Sequence, residues 1–217
     1  MKTNPKKLIA RVVCYCAGLL VLSFGIALAV NSQLGVSPVS SLPYVVSQIL
    51  GISMGTCTTM VYILYILLQM ILHGKKFQPT LLVQLVFSTI FGYCVDGAKA
   101  ILGSFMLPTY FGQLTMLAVS IMLISFSLVL YIDVRLTPMP PEGLISCIGA
   151  RVGKPFPKVK TIFDCTSVLI GLLLCLVFLG KVVGIREGTV ISALLVGKFM
   201  AIFRKYLSPI IQKVCFD

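Results

Sequence analysis

Long apolar stretches restrict the fold of this 217-residue chain more than any other feature of its sequence. Six of them resemble membrane-crossing helices, although the last is short: residues 8–30, 53–72, 81–102, 114–132, 161–179 and 188–203. A helix needs about 20 apolar residues to cross the hydrocarbon layer of a bilayer. The alternation typical of barrel strands is missing, and runs of Leu, Ile, Val and Met favour helices. The sequence therefore predicts an all-α membrane protein with six transmembrane helices, and it excludes a soluble globular enzyme.

The distribution of basic residues predicts the orientation of these helices. Only 11% of the residues are charged, yet the net charge is +12. In a soluble protein this balance would indicate nucleic-acid binding, but in so apolar a chain an excess of Lys and Arg on the cytoplasmic side explains it better. Basic residues collect at the N-terminus, at Lys75 and Lys76, between 135 and 160, and at the C-terminal end, whereas 31–52 and 103–113 contain none. We therefore expect six spans with both termini in the cytoplasm, the lipid bilayer as a partner and no nucleic acid; Lys181 and Arg186 are the exceptions.

The first apolar stretch is expected to remain in the protein. Its basic start resembles a signal peptide, but its apolar run is longer than the usual core of about 7–15 residues. The residues directly before Asn31, 28–30, do not form a small-residue cleavage pattern. We therefore count residues 8–30 as a transmembrane helix.

The order of motifs indicates an internal duplication. Residues 34–38 read Leu-Gly-Val-Ser-Pro after the first span, and residues 134–138 read Val-Arg-Leu-Thr-Pro after the fourth. A short apolar segment, a glycine-containing turn and two further spans follow in both halves. The predicted repeats are 1–105 and 106–217. Because each holds three spans, the second must enter the membrane from the opposite side, which gives two inverted three-helix repeats.

Each predicted repeat also contains a short helix, at 40–50 and at 141–152. Their apolar residues recur at helical spacing, but helices of this length cannot cross a bilayer. They are therefore either re-entrant, with N-termini facing a solute as in transporters built from inverted repeats, or interfacial. The sequence leaves both alternatives open.

Polar and charged residues in or near the apolar stretches are the candidate solute-binding residues, because such groups are costly in a membrane. Each also has a structural alternative: Asp96 could pair with Lys99, Asp164 could pair with Lys160, Lys198 could extend toward the interface, and Glu142 could cap its short helix. Six tyrosines near span ends are instead predicted to be interface anchors: Tyr44, Tyr62, Tyr65, Tyr93, Tyr110 and Tyr131. The candidate solute-binding residues are Ser37, Ser40, Ser41, Asp96, Glu142, Asp164 and Lys198.

Signatures of enzymes and metal sites are missing from the sequence. It contains no G-x-S-x-G, H-E-x-x-H or G-x-x-x-x-G-K-[ST] motif. The eight cysteines include no C-x-x-C pair, and His73 is the single histidine, so a metal site lacks ligands at recognisable spacing. We expect no catalytic residue, no cofactor and no metal.

Four motifs together resemble the YczE/YyaS/YitT family of bacterial integral membrane proteins, and the resemblance covers nearly the whole chain. They are Leu-Gly-Val-Ser-Pro at 34–38, Gly-Ile-Ser-Met-Gly at 51–55, Phe-Gly-Tyr-Cys-Val-Asp at 91–96 and Gly-Thr-Val-Ile-Ser-Ala-Leu-Leu-Val-Gly at 188–197. The resemblance implies a bacterial inner-membrane protein but no particular solute. Asp96 and the turn at Gly188 and Thr189 are the positions that it singles out.

The leading hypothesis is a secondary transporter or exporter of a small organic solute, bound between the repeats and coupled to protons or sodium ions. The alternative is a non-transporting membrane scaffold that docks a cytoplasmic enzyme on its basic face. An intramembrane enzyme has no motif in its support. The solute, the direction of transport and the existence of a homo-oligomer stay open at this level.

Overall fold

In a computed structural model the described residues, 5–74 and 80–216, form helices and no strand. The all-α prediction is therefore confirmed for this part of the chain, whereas Lys2, the basic loop at Lys75 and Lys76, and Asp217 lie outside it. The helix α7 continues as a π-helical segment, Cys175–Leu179. The helices are α1 Pro5–Ser32, α2 Pro38–Leu50, α3 Met54–His73, α4 Thr80–Leu102, α5 Tyr110–Asp133, α6 Pro140–Val152, α7 Phe156–Leu174 and α8 Glu187–Cys215.

Five stretches of helix in the described residues are long and apolar enough to cross a membrane. They are Lys7–Ser32, Met54–His73, Thr80–Leu102, Tyr110–Asp133 and Phe156–Leu179, which correspond to the first five predicted spans. The sixth predicted span, 188–203, is not among them. It lies within α8, where Lys198 interrupts the apolar run and Arg204 and Lys205 follow it, and the helix continues to Cys215. Length and composition thus identify five spans in this part of the chain, and the sixth predicted span is not confirmed.

The outer surface of the bundle is apolar. Large hydrophobic side chains such as Leu169, Leu173 and Val177 on the α7 stretch are more than half exposed. A surface of this kind is unstable in water but matches lipid tails. The chain is therefore a multi-pass membrane protein.

Helices α1 and α5 cross at the centre of the bundle. Gly25 of α1 lies so close to α5 that a Cβ atom there would stand 2.8 Å from Cγ1 of Ile124. Small residues allow helix backbones to approach closely in membranes, where close packing replaces the hydrophobic effect as the source of attraction. Around this centre α4 packs on α1, α8 packs on α5, and α3 packs on α4.

The two ends of the bundle differ in charge. At one end, which we call the basic end, Arg11 donates to the carbonyls of Val134 and Arg135, and Arg151 donates to the carbonyl of Leu72. This end joins the start of α1 to the ends of α3, α5 and α6. It gathers most of the described Lys and Arg residues: Lys7, Arg11, Arg135, Arg151, Lys154, Lys158, Lys160, Arg204, Lys205 and Lys213.

The other end, which we call the opposite end, is joined mainly through backbone groups. Asn31 at the end of α1 donates to the carbonyl of Gly103 after α4, 3.1 Å away. The N–H of Gly188 donates to the carbonyl of Leu34 at 2.8 Å. A Cβ atom on Gly188 would stand only 2.6 Å from that carbonyl oxygen, so the turn requires glycine.

The short helices α2 and α6 are 13 residues long and share their start and end signals. Each has proline in its first turn, which suits a helix start because proline lacks an N–H. Each ends at a glycine in the left-handed region, Gly51 with φ 67° and Gly153 with φ 68°. Their first residues, Pro38 and Pro140, lie 102 positions apart, as do the two terminal glycines. The helices therefore correspond at this spacing, rather than at the 100 positions that separate Pro38 from Pro138.

Both short helices bury their N-terminal halves inside the bundle and expose their C-terminal ends. Leu50 and Val152, the last residues, are both more than half exposed. In α2 the buried part packs against α3, α7 and α8, and in α6 it packs against α3 and α7. Neither helix therefore lies flat on the outside of the bundle.

Candidate functional site

The start of α6 places a carboxylate inside the bundle. Met139 precedes the helix, Pro140 and Pro141 form its first two positions, and Glu142 is the third. Gln69 of α3 anchors this start by donating to the carbonyl of Pro140 and to Oε1 of Gln84, each at 3.1 Å. Glu142 is thus held in place by the backbone of a helix whose first turn is rigid.

Only one of the two carboxylate oxygens of Glu142 has a side-chain partner. Tyr131 of α5 donates its hydroxyl to Oε1 at 2.9 Å. The other oxygen, Oε2, is shielded from solvent and accepts no hydrogen bond within the described residues, although Glu142 as a whole is only half-buried. Burial raises the pKa of Glu142 above its ordinary value, whereas the positive charge of Lys160 acts against that rise. Burying an oxygen that accepts no hydrogen bond costs free energy, so Oε2 is an atom to which a ligand could donate or bind.

An aromatic cluster surrounds this carboxylate. Tyr15 of α1 contacts Tyr131 with ring centres 5.8 Å apart, and Tyr62 and Tyr65 of α3 stack at 6.2 Å. The hydroxyls of Tyr15, Tyr62 and Tyr131 all lie near enough to interact with the charge of Glu142. We call the set the tyrosine cluster; it consists of Tyr15, Tyr62, Tyr65 and Tyr131, packed on Phe87, Phe91 and Phe163.

Three members of this cluster were predicted to be interface anchors, which is wrong. Tyr62, Tyr65 and Tyr131 are at most 6% exposed and lie in the core. By contrast, Tyr93 is 76% exposed and Tyr110 is 58% exposed. Position near the end of a span does not separate the two groups, because it does not tell which way the ring points. The regular spacing of Tyr62 and Tyr65 on one face of α3 is the signal that could have found the cluster.

Asp164 lies beside the same cluster and is paired. Its Oδ2 is 3.0 Å from Nζ of Lys160, one turn earlier on α7. Both charges act on Glu142. Because the pair is neutral as a whole, Glu142 contributes the one negative charge in excess among these three residues.

Asp96 has a structural role at the other end of the bundle. It accepts hydrogen bonds from the Ser53 hydroxyl at 2.6 Å and from the backbone N–H of Gly55 at 2.7 Å, which closes the start of α3. The predicted pair with Lys99 does not form in the described residues, because Asp96 points toward α3. Asp96 is therefore not brought together with Glu142.

The remaining predicted solute-binding residues do not meet Glu142 either. Ser37 donates to the hydroxyl of Ser40, and Ser41 donates to the carbonyl of Pro38, so both donors have partners at the start of α2. Lys198 is exposed on the outer face of α8. Of the other six candidates, the structure brings only Asp164 near Glu142, whereas the three serines lie together at the start of α2.

Two clefts enter the bundle from its two ends. The first, of about 520 Å³, lies at the opposite end and is bordered by the end of α1, Tyr44 and the segment 182–186. The second, of about 560 Å³, lies at the basic end beside Asp133, Arg135 and Arg204. Glu142 borders neither of these two clefts.

Comparisons with known proteins agree with the family that the motifs resemble. The chain is 25% identical to the uncharacterized protein YyaS of Bacillus subtilis over 92% of both chains. It is 24% identical to the uncharacterized membrane protein YczE of Bacillus subtilis over 88% of this chain and 84% of that protein. No solved structure matches the chain. Residues 9–205 match the family of unknown function DUF6198, and the chain therefore belongs to this family.

Proposed function

We propose that this protein is a secondary transporter of a small organic solute across the bacterial inner membrane. In this proposal α1–α4 and α5–α8 are inverted repeats, and rocking of one repeat against the other exposes a central site to each side in turn. The basic end faces the cytoplasm, because Lys and Arg are retained on that side of the membrane. In this proposal α8 is a sixth crossing, although its composition alone does not identify it, and both termini are then cytoplasmic.

The packing of the short helices supports the inverted arrangement. Helix α2 packs on α7, and the matching helix α6 packs on α3. Each short helix thus contacts the span that follows the other short helix, as a two-fold axis in the membrane plane requires. Gln33 and Arg135, two non-glycine residues with positive φ (57° and 52°), also lie 102 positions apart, in the connections that precede the two helices.

Glu142 is the single observation that carries the proposal. An acidic side chain in the middle of a membrane costs about 2.5–3.5 kcal/mol on insertion scales, so a buried carboxylate in such a protein is a candidate functional group by default. A purely structural cap would have both oxygens paired, as Asp96 has. Glu142 instead keeps Oε2 without a partner at the start of a half-buried helix.

The positions of the two clefts support an alternating mechanism. One cleft lies at each end of the bundle, and Glu142 lines neither of them. We infer that this arrangement, with a cleft at each end and the site between them, is an occluded conformation. Opening then needs a relative motion of α5 and α8 against α1 and α4.

Uptake into proteoliposomes tests the proposal. The purified protein is reconstituted and screened with labelled organic cations, amino acids and vitamins, with and without proton and sodium gradients. We expect concentrative uptake of at least one solute that Glu142→Gln abolishes and Glu187→Gln preserves, because Glu187 is exposed and paired with Arg186 at the opposite end. Uptake that stays at the level of protein-free liposomes for every solute would contradict the proposal.

A scaffold for a cytoplasmic enzyme is the second candidate. The basic end supports it, since Lys154, Lys158, Lys205 and Lys213 are exposed there. Co-purification of a soluble protein that is lost when these four lysines are changed to glutamine would favour this alternative. The scaffold gives no reason for the buried Glu142, so we place it second.

A further inference from the structure

We propose that the tyrosine cluster and Glu142 form a binding site for a monovalent organic cation, such as a quaternary or tertiary ammonium compound. This inference rests on the proposed function in one respect, because it takes Glu142 as the group that binds the solute. It adds the chemical class of that solute. Three observations support it: the charge of the site, the surfaces that line it, and the free carboxylate oxygen.

The net charge of the site would be compensated by one positive charge. Lys160 and Asp164 neutralise each other, which leaves the carboxylate of Glu142 in excess. The hydroxyl of Tyr131 offers a hydrogen bond but no charge. A neutral or anionic solute would leave the buried carboxylate uncompensated, whereas a monovalent cation compensates it.

The lining of the site distinguishes an organic cation from a metal ion. Sodium and similar hard cations bind among several carbonyl, carboxylate or water oxygens. The groups that interact with Glu142 are instead mainly the tyrosines Tyr15, Tyr62 and Tyr131. Their neighbours are aromatic as well, with ring centres 4.4 Å apart for Tyr15 and Phe87 and 5.9 Å apart for Tyr62 and Phe91. Aromatic rings attract cations through their negative faces and also contact alkyl groups, so they recognise ammonium compounds that carry alkyl substituents.

The free oxygen gives the cation a place to bind. Oε2 of Glu142 and the hydroxyl of Tyr65 are the two buried side-chain polar atoms without a hydrogen-bond partner in the described residues. Both belong to the same cluster of aromatic and acidic groups. A cation and a proton both compensate the charge of this carboxylate, so they bind to Glu142 in competition, and a cation that binds to the protonated form releases that proton to solvent.

Equilibrium dialysis of labelled tetraethylammonium against the full chain in detergent tests the site. We expect saturable binding of one cation per chain. Glu142→Gln should weaken it by about 100-fold, because the charge partner is lost. Tyr62→Leu should weaken it by about 10-fold, whereas Tyr62→Phe, which keeps the ring, should change it by less than about threefold. Glu187→Gln is the control and should bind as the wild type does.

The pH dependence separates direct binding from a structural role. The groups that face Glu142 are Tyr15 of α1, Tyr62 of α3, Tyr131 of α5, and Lys160 and Asp164 of α7. His73, the last residue of α3, lies farther away, against Cys147 of α6. Affinity for tetraethylammonium should fall as the pH is lowered and Glu142 takes up a proton. The fall should persist in Asp164→Asn and vanish in Glu142→Gln, in variants whose thermal unfolding shows that they are folded.

The outcomes distinguish this inference from the transport proposal. If folded wild type shows no saturable binding of tetraethylammonium, or binds it equally well as Glu142→Gln, the organic-cation site is wrong even where proteoliposomes take up another solute. If tetraethylammonium binds as expected but no organic cation or other solute is taken up, the site stands and transport is wrong.

Discussion

At the scale of single residues, Glu142 gives a stability that depends on pH. Burial raises its pKa above the ordinary glutamate value of 4.5. The folded protein therefore holds the proton to a higher pH than the unfolded chain does, and the free energy of unfolding falls as the pH rises from about 4.5 through the raised pKa. Glu142→Gln cannot lose a proton, so we expect its stability relative to the wild type to increase over that range. Below about pH 4.5 the difference between the two proteins should stay constant.

Thermal unfolding in detergent across a pH series measures this difference. Glu187→Gln is the matched control, because Glu187 is exposed at the opposite end and its loss should leave the pH profile unchanged. A wild type that becomes more stable relative to Glu142→Gln as the pH rises would contradict the burial of the carboxylate.

Asp96 is expected to affect stability rather than solute binding. Its two oxygens hold the start of α3 through Ser53 and Gly55. Asp96→Ala should lower the free energy of unfolding by about 1–3 kcal/mol, the usual cost of leaving such donors without their charged acceptor. Lys99→Ala should change it by less than about 0.5 kcal/mol, because substitutions of residues outside such networks have small effects. Equal losses of stability in the two variants would instead support the Asp96–Lys99 pair that the sequence predicts. A loss of tetraethylammonium affinity in folded Asp96→Ala would contradict a purely structural role for Asp96.

Why the sequence identified Glu142 but missed the tyrosines follows from membrane physics. Carboxylates are rare in apolar segments, so Glu142 and Asp164 are conspicuous. Aromatic and aliphatic side chains suit both the lipid surface and the core, and hydrophobicity alone cannot separate them. Tyr62 and Tyr93 therefore look alike in the sequence, although one is buried and the other is 76% exposed.

At the scale of helices, the contact between α3 and α4 depends on paired glycines. A Cβ atom on Gly92 would collide with the Thr59 hydroxyl and stand 2.7 Å from the carbonyl oxygen of Gly55. Gly97, on the same helix, has nothing within 4 Å of the corresponding position. Gly92→Ala should therefore lower the free energy of unfolding by about 1–3 kcal/mol through overpacking. Gly97→Ala should leave it unchanged or raise it by up to about 1 kcal/mol.

Thermal unfolding of the two alanine variants in the same detergent tests this contact. Both exchanges add one methyl group to α4, so any difference between them reports the packing at Gly92 and not the helix propensity. Similar unfolding temperatures for the two variants would mean that α3 and α4 can move apart to fit the added methyl group without a loss of stability.

The sequence predicted the short helices better than it predicted α8, for a physical reason. Proline at the start and glycine at the end mark α2 and α6 through backbone geometry, which is local. The end of α8 was predicted from the end of its apolar run at 203, but the helix continues to Cys215. Beyond that point Arg204 and Ser208 bind Asp133 of α5, a long-range contact that the sequence of α8 does not reveal.

At the scale of the whole molecule, the charge difference between the ends predicts the orientation in the membrane. The basic end carries Lys154 and its neighbours, whereas the opposite end carries Ser104 in the uncharged connection after α4. Retention of basic loops in the cytoplasm places Ser104 outside and Lys154 inside. The start of α1 and the end of α8 lie side by side, because Lys7 donates to the carbonyl of Phe216. The same orientation therefore predicts that both of these helix ends lie inside.

Thiol labelling in intact cells tests this orientation. The eight native cysteines are replaced, and Ser104→Cys or Lys154→Cys is added singly; both positions are exposed. A membrane-impermeant maleimide should label Ser104→Cys in intact cells and Lys154→Cys only after permeabilisation, while the cysteine-free chain stays unlabelled. The reverse pattern would place the basic end outside. Equal labelling of both positions in intact cells would put them on one side of the membrane, which an odd number of spans between them does not allow.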